Sequence, residues 1–151
     1  MEDFPVNQFT IFDLADAFLS IEAMPLFKLQ KLCYYAQAWH LAIYNESLVD
    51  AQFEAWIHGA VNPELYQKYK SYDIRTIPRI ADSSKIPEHC LEFAKEVFEV
   101  YGSYRGEQLE WLIHREDPWL NARGITKPWE DCTEKISEKD MAEYYRKLMR
   151  E

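Results

Sequence analysis

The 151 residues, 48% hydrophobic and 15% aromatic, exclude intrinsic disorder and supply one domain, residues 1–151, with enough apolar area to fold without disulfides or metal. A formal charge of -9 argues against direct nucleic-acid binding and against attraction to an anionic membrane, and it steers a basic partner toward the surface. Cys33, Cys90 and Cys132 are odd in number and widely spaced, the pattern of reduced core thiols.

The first nine residues, MEDFPVNQF, carry Glu2 and Asp3 where a secretory signal would carry Lys or Arg, so the cytoplasm is the expected compartment. Thr10 with Asp13 forms a capping box, and Ile11, Leu14, Ala15, Phe18 and Leu19 then keep helical spacing to about Ala23. Pro25 marks the turn into a second helix from Leu26 to Glu46. Its apolar residues recur as Leu29, Leu32, Cys33, Ala36, Trp39, His40 and Ile43, with Tyr34, Ala38, Leu41 and Ala42 filling the other side. No charged residue occurs between Leu32 and Asn45. The run is too short and too interrupted by Gln37 and His40 to span a bilayer, so it predicts a buried central helix.

From Phe53 to Ile57 the pattern alternates, which predicts a half-buried strand stopped by Gly59, with Leu48 and Val49 as its partner across a turn near Asp50. Ile74 to Ile77 is a weaker strand candidate. Asn62 and Pro63 read as N-cap and first residue of a helix to about Tyr72. Pro78 to Pro87 is a surface loop. Helices follow from Pro87 to a Gly102 cap and from Gly106 to His114. A short turn capped by Asp117 ends at Gly124, and Ser137 with Asp140 starts the last helix. The fold class is mainly α (α+β): a helical globule around a buried central helix, with a small β-hairpin.

Candidate chemistry is sparse. His40, His58, His89 and His114 form no metal-binding pair at helical spacing, and no C-x-x-C accompanies them. His40, His58 and His114 converging around a metal would make a hydrolase, against the simpler reading of hydrogen-bonded core histidines. Four scattered glycines form no phosphate-binding loop. Glu107, Glu110, Glu116 and Asp117 read as a solvated acidic edge, and Lys68, Lys70, Arg75, Arg79 and Lys85 as a solvated face or partner contact. The five tryptophans, Trp39, Trp56, Trp111, Trp119 and Trp129, belong to the residue types that dominate binding hot spots, and they could partly line one groove.

Three motifs in order, KLQKLCYYAQAWHLAIY from Lys28, FEAWIHGAVNPELY from Phe53 and LEWLIHREDPW from Leu109, resemble the Panacea domain. This is the antitoxin domain typified by SocA and also found in prophage proteins called GepA. The likeness runs from about Asp13 to Tyr145. It departs at Ala60, Arg105 and Ile113, where the family often has Pro, a capping Ser and Thr. The resemblance implies a non-enzymatic bacterial or phage protein that neutralises a cognate toxin, encoded beside it, by direct binding. In the alternative that some members follow, it is an adaptor handing the toxin to a protease. No cofactor, metal or catalytic role is implied. Trp39, His40, Trp56, His58, His114 and Trp119 match the motifs and stand as a cluster for fold integrity or partner contact.

Overall fold

Thr10 opens the fold as expected: its hydroxyl accepts from the Asp13 N–H at 3.1 Å, the Asp13 carboxylate accepts from the Thr10 N–H at 2.9 Å, and α1 (Ile11–Ile21) follows. The computed structural model describes residues 9–150. Met1 to Gln8, on which the reading of the leader rests, and Glu151 lie outside the described residues.

After α1 come β1 (Met24–Pro25), α2 (Leu26–Tyr44), β2 (Glu54–Trp56), β3 (Gly59–Val61) and α3 (Pro63–Tyr69), which tightens into a 3-10 turn at Lys70–Tyr72. Then follow β4 (Thr76–Ile77), α4 (Glu88–Tyr101), α5 (Gly106–Ile113), α6 (Asp117–Arg123) and α7 (Glu138–Met149). Among the described residues the fold is thus mainly helical, with two small two-stranded sheets. No helix among the described residues is long and apolar enough to cross a membrane.

Helix α2 is the centre. From Leu26 to Ala42 only Phe27, Lys28 and Trp39 escape full burial, and α1, α4, α5 and α7 all pack on it. One apolar cluster runs from Ile11 on α1 to Tyr145 on α7. Within it Leu14, Phe18, Leu29 and Leu32 are fully buried, each contributing roughly 1.5–3 kcal/mol of transfer free energy.

Such burial obliges the polar side chains of α2 to find partners inside the protein. Gln37 Oε1 accepts from the Leu48 and Val49 N–H groups at 2.8 and 3.1 Å, while its Nε2 donates to Val49 O at 3.0 Å. Two turns earlier on the same face, Gln30 holds Asn62 in the same manner, with 2.8 Å to its N–H and 2.9 Å to its carbonyl. Tyr35 and Tyr145 both donate to Glu116 Oε1, at 2.8 and 2.7 Å, and Tyr34 lies 3.2 Å from the Tyr145 hydroxyl. At the far end Arg146 reaches from α7 to Ala42 O at 3.0 Å, and Asn45 ends the helix in the left-handed conformation.

Several expectations are corrected. Leu48 and Val49 are no strand; Gln37 takes their backbone groups instead. The partner of β2 is β3, so Gly59 begins the return strand rather than stopping one. Its φ of +109° follows a two-residue turn, Ile57–His58, that has no positive φ, the arrangement in which glycine absorbs the left-handed step. On its other side β2 is extended by 134–136, where Ala55 donates to Glu134 O and Ile136 to Phe53 O. The weaker strand candidate does form, as β4, but pairs with β1. Gly102 caps α4 with right-handed φ. Asp117 opens a helix, not a turn, with Glu116 at the cap. Ile43 lies outside the core, 48% exposed.

Two predictions follow from this interior. Gln37→Leu leaves three backbone groups of the 48–49 segment without partners and should cost roughly 3 kcal/mol, read as a lower urea midpoint at unchanged slope; an unchanged midpoint would remove Gln37 from its organising role. Burial pushes Glu116 up from 4.5 to about 6, against the opposing pull of Tyr145 and Tyr35. The folded chain therefore binds more protons than the unfolded one between these values, so this group's contribution to stability falls as pH rises through that window. The difference is about 2 kcal/mol, and Glu116→Gln should flatten it in denaturation curves taken on either side.

Candidate functional site

Where the N-terminal end of α2 meets the hairpin, Phe27 and Lys31 share a face with Gly59 and Gly106. A Cβ on Gly106 would lie 2.4 Å from Cδ2 of Phe27, and one on Gly59 would lie 2.8 Å from Cε of Lys31. Both glycines therefore make room for these two side chains. Phe27 in turn offers its ring to the Lys31 ammonium, 4.3 Å from the centroid.

Lys31 is 1% exposed, yet none of the ion pairs among the described residues includes it. Burial pushes its ammonium down to about 7, with Glu110 pulling weakly the other way. It faces a cavity of about 620 Å³ whose walls include Phe27, Trp56, His58, Val61 and Tyr66. Lys70, Asp73 and Asp131 also line it and, like His58 and Tyr66, are exposed, so these five belong to its outer part. The inner part, with Phe27, Trp56 and Val61, is therefore largely apolar with one cation, and the amide of Gln30, which also lines it, is bonded to Asn62.

Behind the hairpin stands a second layer. His58 donates from Nδ1 to Glu110 Oε2 at 2.9 Å, although its side chain is largely exposed. His114 Nε2 lies 3.7 Å from the same oxygen, too far for a hydrogen bond, and is buried without a partner. Burial pushes His114 below its ordinary value. Its ring stacks on Trp119 at 4.2 Å, and Trp119 donates to Trp56 O at 2.9 Å. The Arg123 guanidinium sits 4.8 Å from the same indole and donates to Ala55 O, Lys127 O and Glu130 O at 2.9, 2.7 and 2.6 Å. Four of the motif residues, Trp56, His58, His114 and Trp119, are thus brought together around Glu110 and the hairpin.

Trp39 and His40 lie elsewhere. Trp39 donates to the Tyr101 hydroxyl at 2.9 Å and packs against Tyr145. His40 places Nδ1 2.6 Å from the Glu46 carbonyl, which can only accept, so Nδ1 carries the proton and Nε2 receives one from His89 Nε2 at 2.8 Å. Burial lowers His40 to about 4, keeping it neutral. His89 thereby joins the start of α4 to the buried face of α2.

The three-histidine centre weighed from sequence does not assemble: His40 is held by His89 on α4 and His58 by Glu110, while His114 stacks on Trp119. Among the described residues no group of three or more His, Cys, Asp or Glu is arranged to hold a metal ion. Glu110 and Glu116 are not part of a solvated edge, and the tryptophans line no common groove. Trp56 faces the cavity, Trp39 and Trp119 pack inside, and Trp111 and Trp129 are exposed. Cys33, Cys90 and Cys132 are free, buried thiols, and burial pushes Cys33 and Cys90 upward, away from reactivity.

Residues 29–120 match the family model described as antitoxin SocA-like, Panacea domain, well over half of the chain. The chain belongs to this family. Comparison with curated proteins and with solved structures finds no match. The matched span of the Panacea domain takes in α2 from Leu29 on, the hairpin, α5 and most of α6, and with them Lys31, the hairpin wall of its cavity and the layer around Glu110. The stretches outside it contribute Arg123, Tyr145 and Arg146, which close the same core.

Lys31 and Arg123 were the residues that sequence reasoning missed. The signal for Lys31 was its position three residues after Lys28 on a helix otherwise apolar toward the core; Arg123 carried none. An unfolded Lys31 keeps its proton up to 10.5, whereas the folded one releases it near 7. The unfolded state therefore binds more protons between those values, so stability rises with pH there and the full cost applies below. Lys31→Met should accordingly stabilise the Panacea domain by roughly 1–4 kcal/mol at neutral pH, with the gain shrinking as pH rises toward the ordinary lysine value. Guanidinium unfolding of both proteins across that range tests this, and a destabilised variant would mean the ammonium is well solvated.

Proposed function

We propose that this chain is a non-enzymatic antitoxin, acting as one domain over residues 1–151 in the cytoplasm, and that it neutralises a cognate toxin by direct protein–protein contact. The observation that carries the reading is the antitoxin-family match across residues 29–120. A toxin encoded next to it is the natural partner, and the charge of -9 favours one with a basic surface.

The contact surface that best suits such a partner is centred on α5. Trp111 is 57% exposed, with the Arg115 guanidinium 3.8 Å from its ring centroid, and Trp and Arg are the side chains that most often anchor protein interfaces. In this reading Trp56, His58, His114 and Trp119 hold the hairpin against α5 and α6, and Trp39 and His40 hold α4 and α7 on α2. All six motif residues then serve the scaffold rather than chemistry.

Co-expression with the product of the adjacent gene should yield a stable heterodimer on size-exclusion chromatography. Trp111→Ala should weaken it by about tenfold to a hundredfold while leaving the circular dichroism unchanged. Absence of any complex with the neighbouring products would defeat the proposal. A pulse-chase of the partner separates blocking from delivery: an unchanged half-life in the presence of this chain leaves blocking, and a shortened one requires a protease as third component.

A further inference from the structure

The Lys31 cavity is not used by the reading above. Its interior brings together observations that do not depend on toxin binding. The cavity's volume of about 620 Å³ lies in the range of small-molecule sites. Two deeply buried polar side chains line it: the Gln30 amide is bonded to Asn62, whereas the Lys31 amine is in none of the ion pairs among the described residues. The walls formed by Phe27, Trp56 and Tyr66 are aromatic, and Gly59 and Gly106 remove the side chains that would otherwise displace Lys31 and Phe27.

We propose that this cavity binds an organic carboxylate, whose carboxyl group pairs with the Lys31 ammonium while an apolar or aromatic body lies against Phe27, Trp56 and Tyr66. A cationic ligand would meet the buried ammonium, and a neutral one would leave it uncompensated in an apolar surround. A phosphate dianion is disfavoured by charge. One cation stands inside, His58 is engaged by Glu110, and the exposed Asp73 and Asp131 oppose Lys70 in the outer part. A monovalent carboxylate matches the single cation and accepts its hydrogen bonds at full strength in a low-dielectric site.

Isothermal titration of the full chain with acetate, octanoate, phenylacetate and indole-3-acetate tests the proposal, with phenylacetamide and phenyl phosphate as controls. At least one of the three apolar acids should bind more tightly than acetate. Phenylacetate should exceed its amide by about tenfold or more, the loss expected for one charge-assisted hydrogen bond. Lys31→Met should weaken the acid to the level of the amide. Because the bound carboxylate favours the charged amine, binding near neutral pH should also take up protons, seen as a dependence of the heat on buffer ionisation enthalpy that Lys31→Met abolishes.

Should the variant fail to fold, the comparison of acid with amide on the unaltered chain carries the same test. A pentapeptide ending in phenylalanine, with free or amidated terminus, distinguishes the sources of the carboxylate. Binding of the free form alone extends the site to a protein chain end, whereas equal binding of both forms overturns the proposal. So do silence from every acid at millimolar concentration, a preference for phenyl phosphate, and equal affinity of the Lys31→Met chain. None of these outcomes bears on whether the chain forms a toxin complex.

Discussion

A helix surrounded on every side cannot leave a polar group to water, and the architecture is arranged around meeting that demand for α2. Gln30 and Gln37 each behave as a piece of strand edge: one amide offers both a donor and an acceptor to the backbone of a neighbouring segment. The segment at 48–49 and the Asn62 cap of α3 take their positions from these contacts rather than from a ladder. The tyrosine hydroxyls of α2 and α7 meet at Glu116, so the helix that closes the core also supplies the donors its buried carboxylate requires. Satisfying the interior and fixing the outer segments are one and the same event.

Against this background the unmet groups stand out. Lys31 carries a charge into the core without an ion pair, and His114 Nε2 is buried with no hydrogen-bond partner. Both lie beside Glu110, whose single carboxylate is engaged by His58. Among the described residues the other buried side-chain amides and hydroxyls have partners, so the protein retains here a cost that an apolar side chain would avoid. Costs of that kind collect where a protein keeps a surface ready for something else, because stability alone offers no reason to hold them.

The six motif positions lie in two separate clusters. Trp56, His58, His114 and Trp119 join the hairpin to α5 and α6, with Arg123 completing the joint through three carbonyls. Trp39 and His40 lock α4 and α7 against the opposite stretch of α2. Their aromatic rings look alike in sequence, but burial by neighbours, not composition, decides that Trp119 is interior while Trp111 two turns earlier is open to solvent.

Local rules were legible where a residue's own neighbours settle the matter. The Thr10 box, the Asn62 and Ser137 caps and the span of α2 all depend on interactions within a few residues, and so they could be read directly. The hairpin was read with the wrong partner because alternation reveals a strand without naming its neighbour, and a glycine such as Gly59 stops a strand or turns a hairpin with equal ease. The long-range contacts were silent: Arg123 and Arg146 spend their guanidinium groups on carbonyls from other segments, and no periodicity records such a choice. Sequence alone thus determined that a greasy, uncharged rod would be buried. Only the tertiary structure decided that Lys31 at its near end would be buried with it, because that depends on two glycines, Gly59 and Gly106, from elements distant in the chain closing over the same turn.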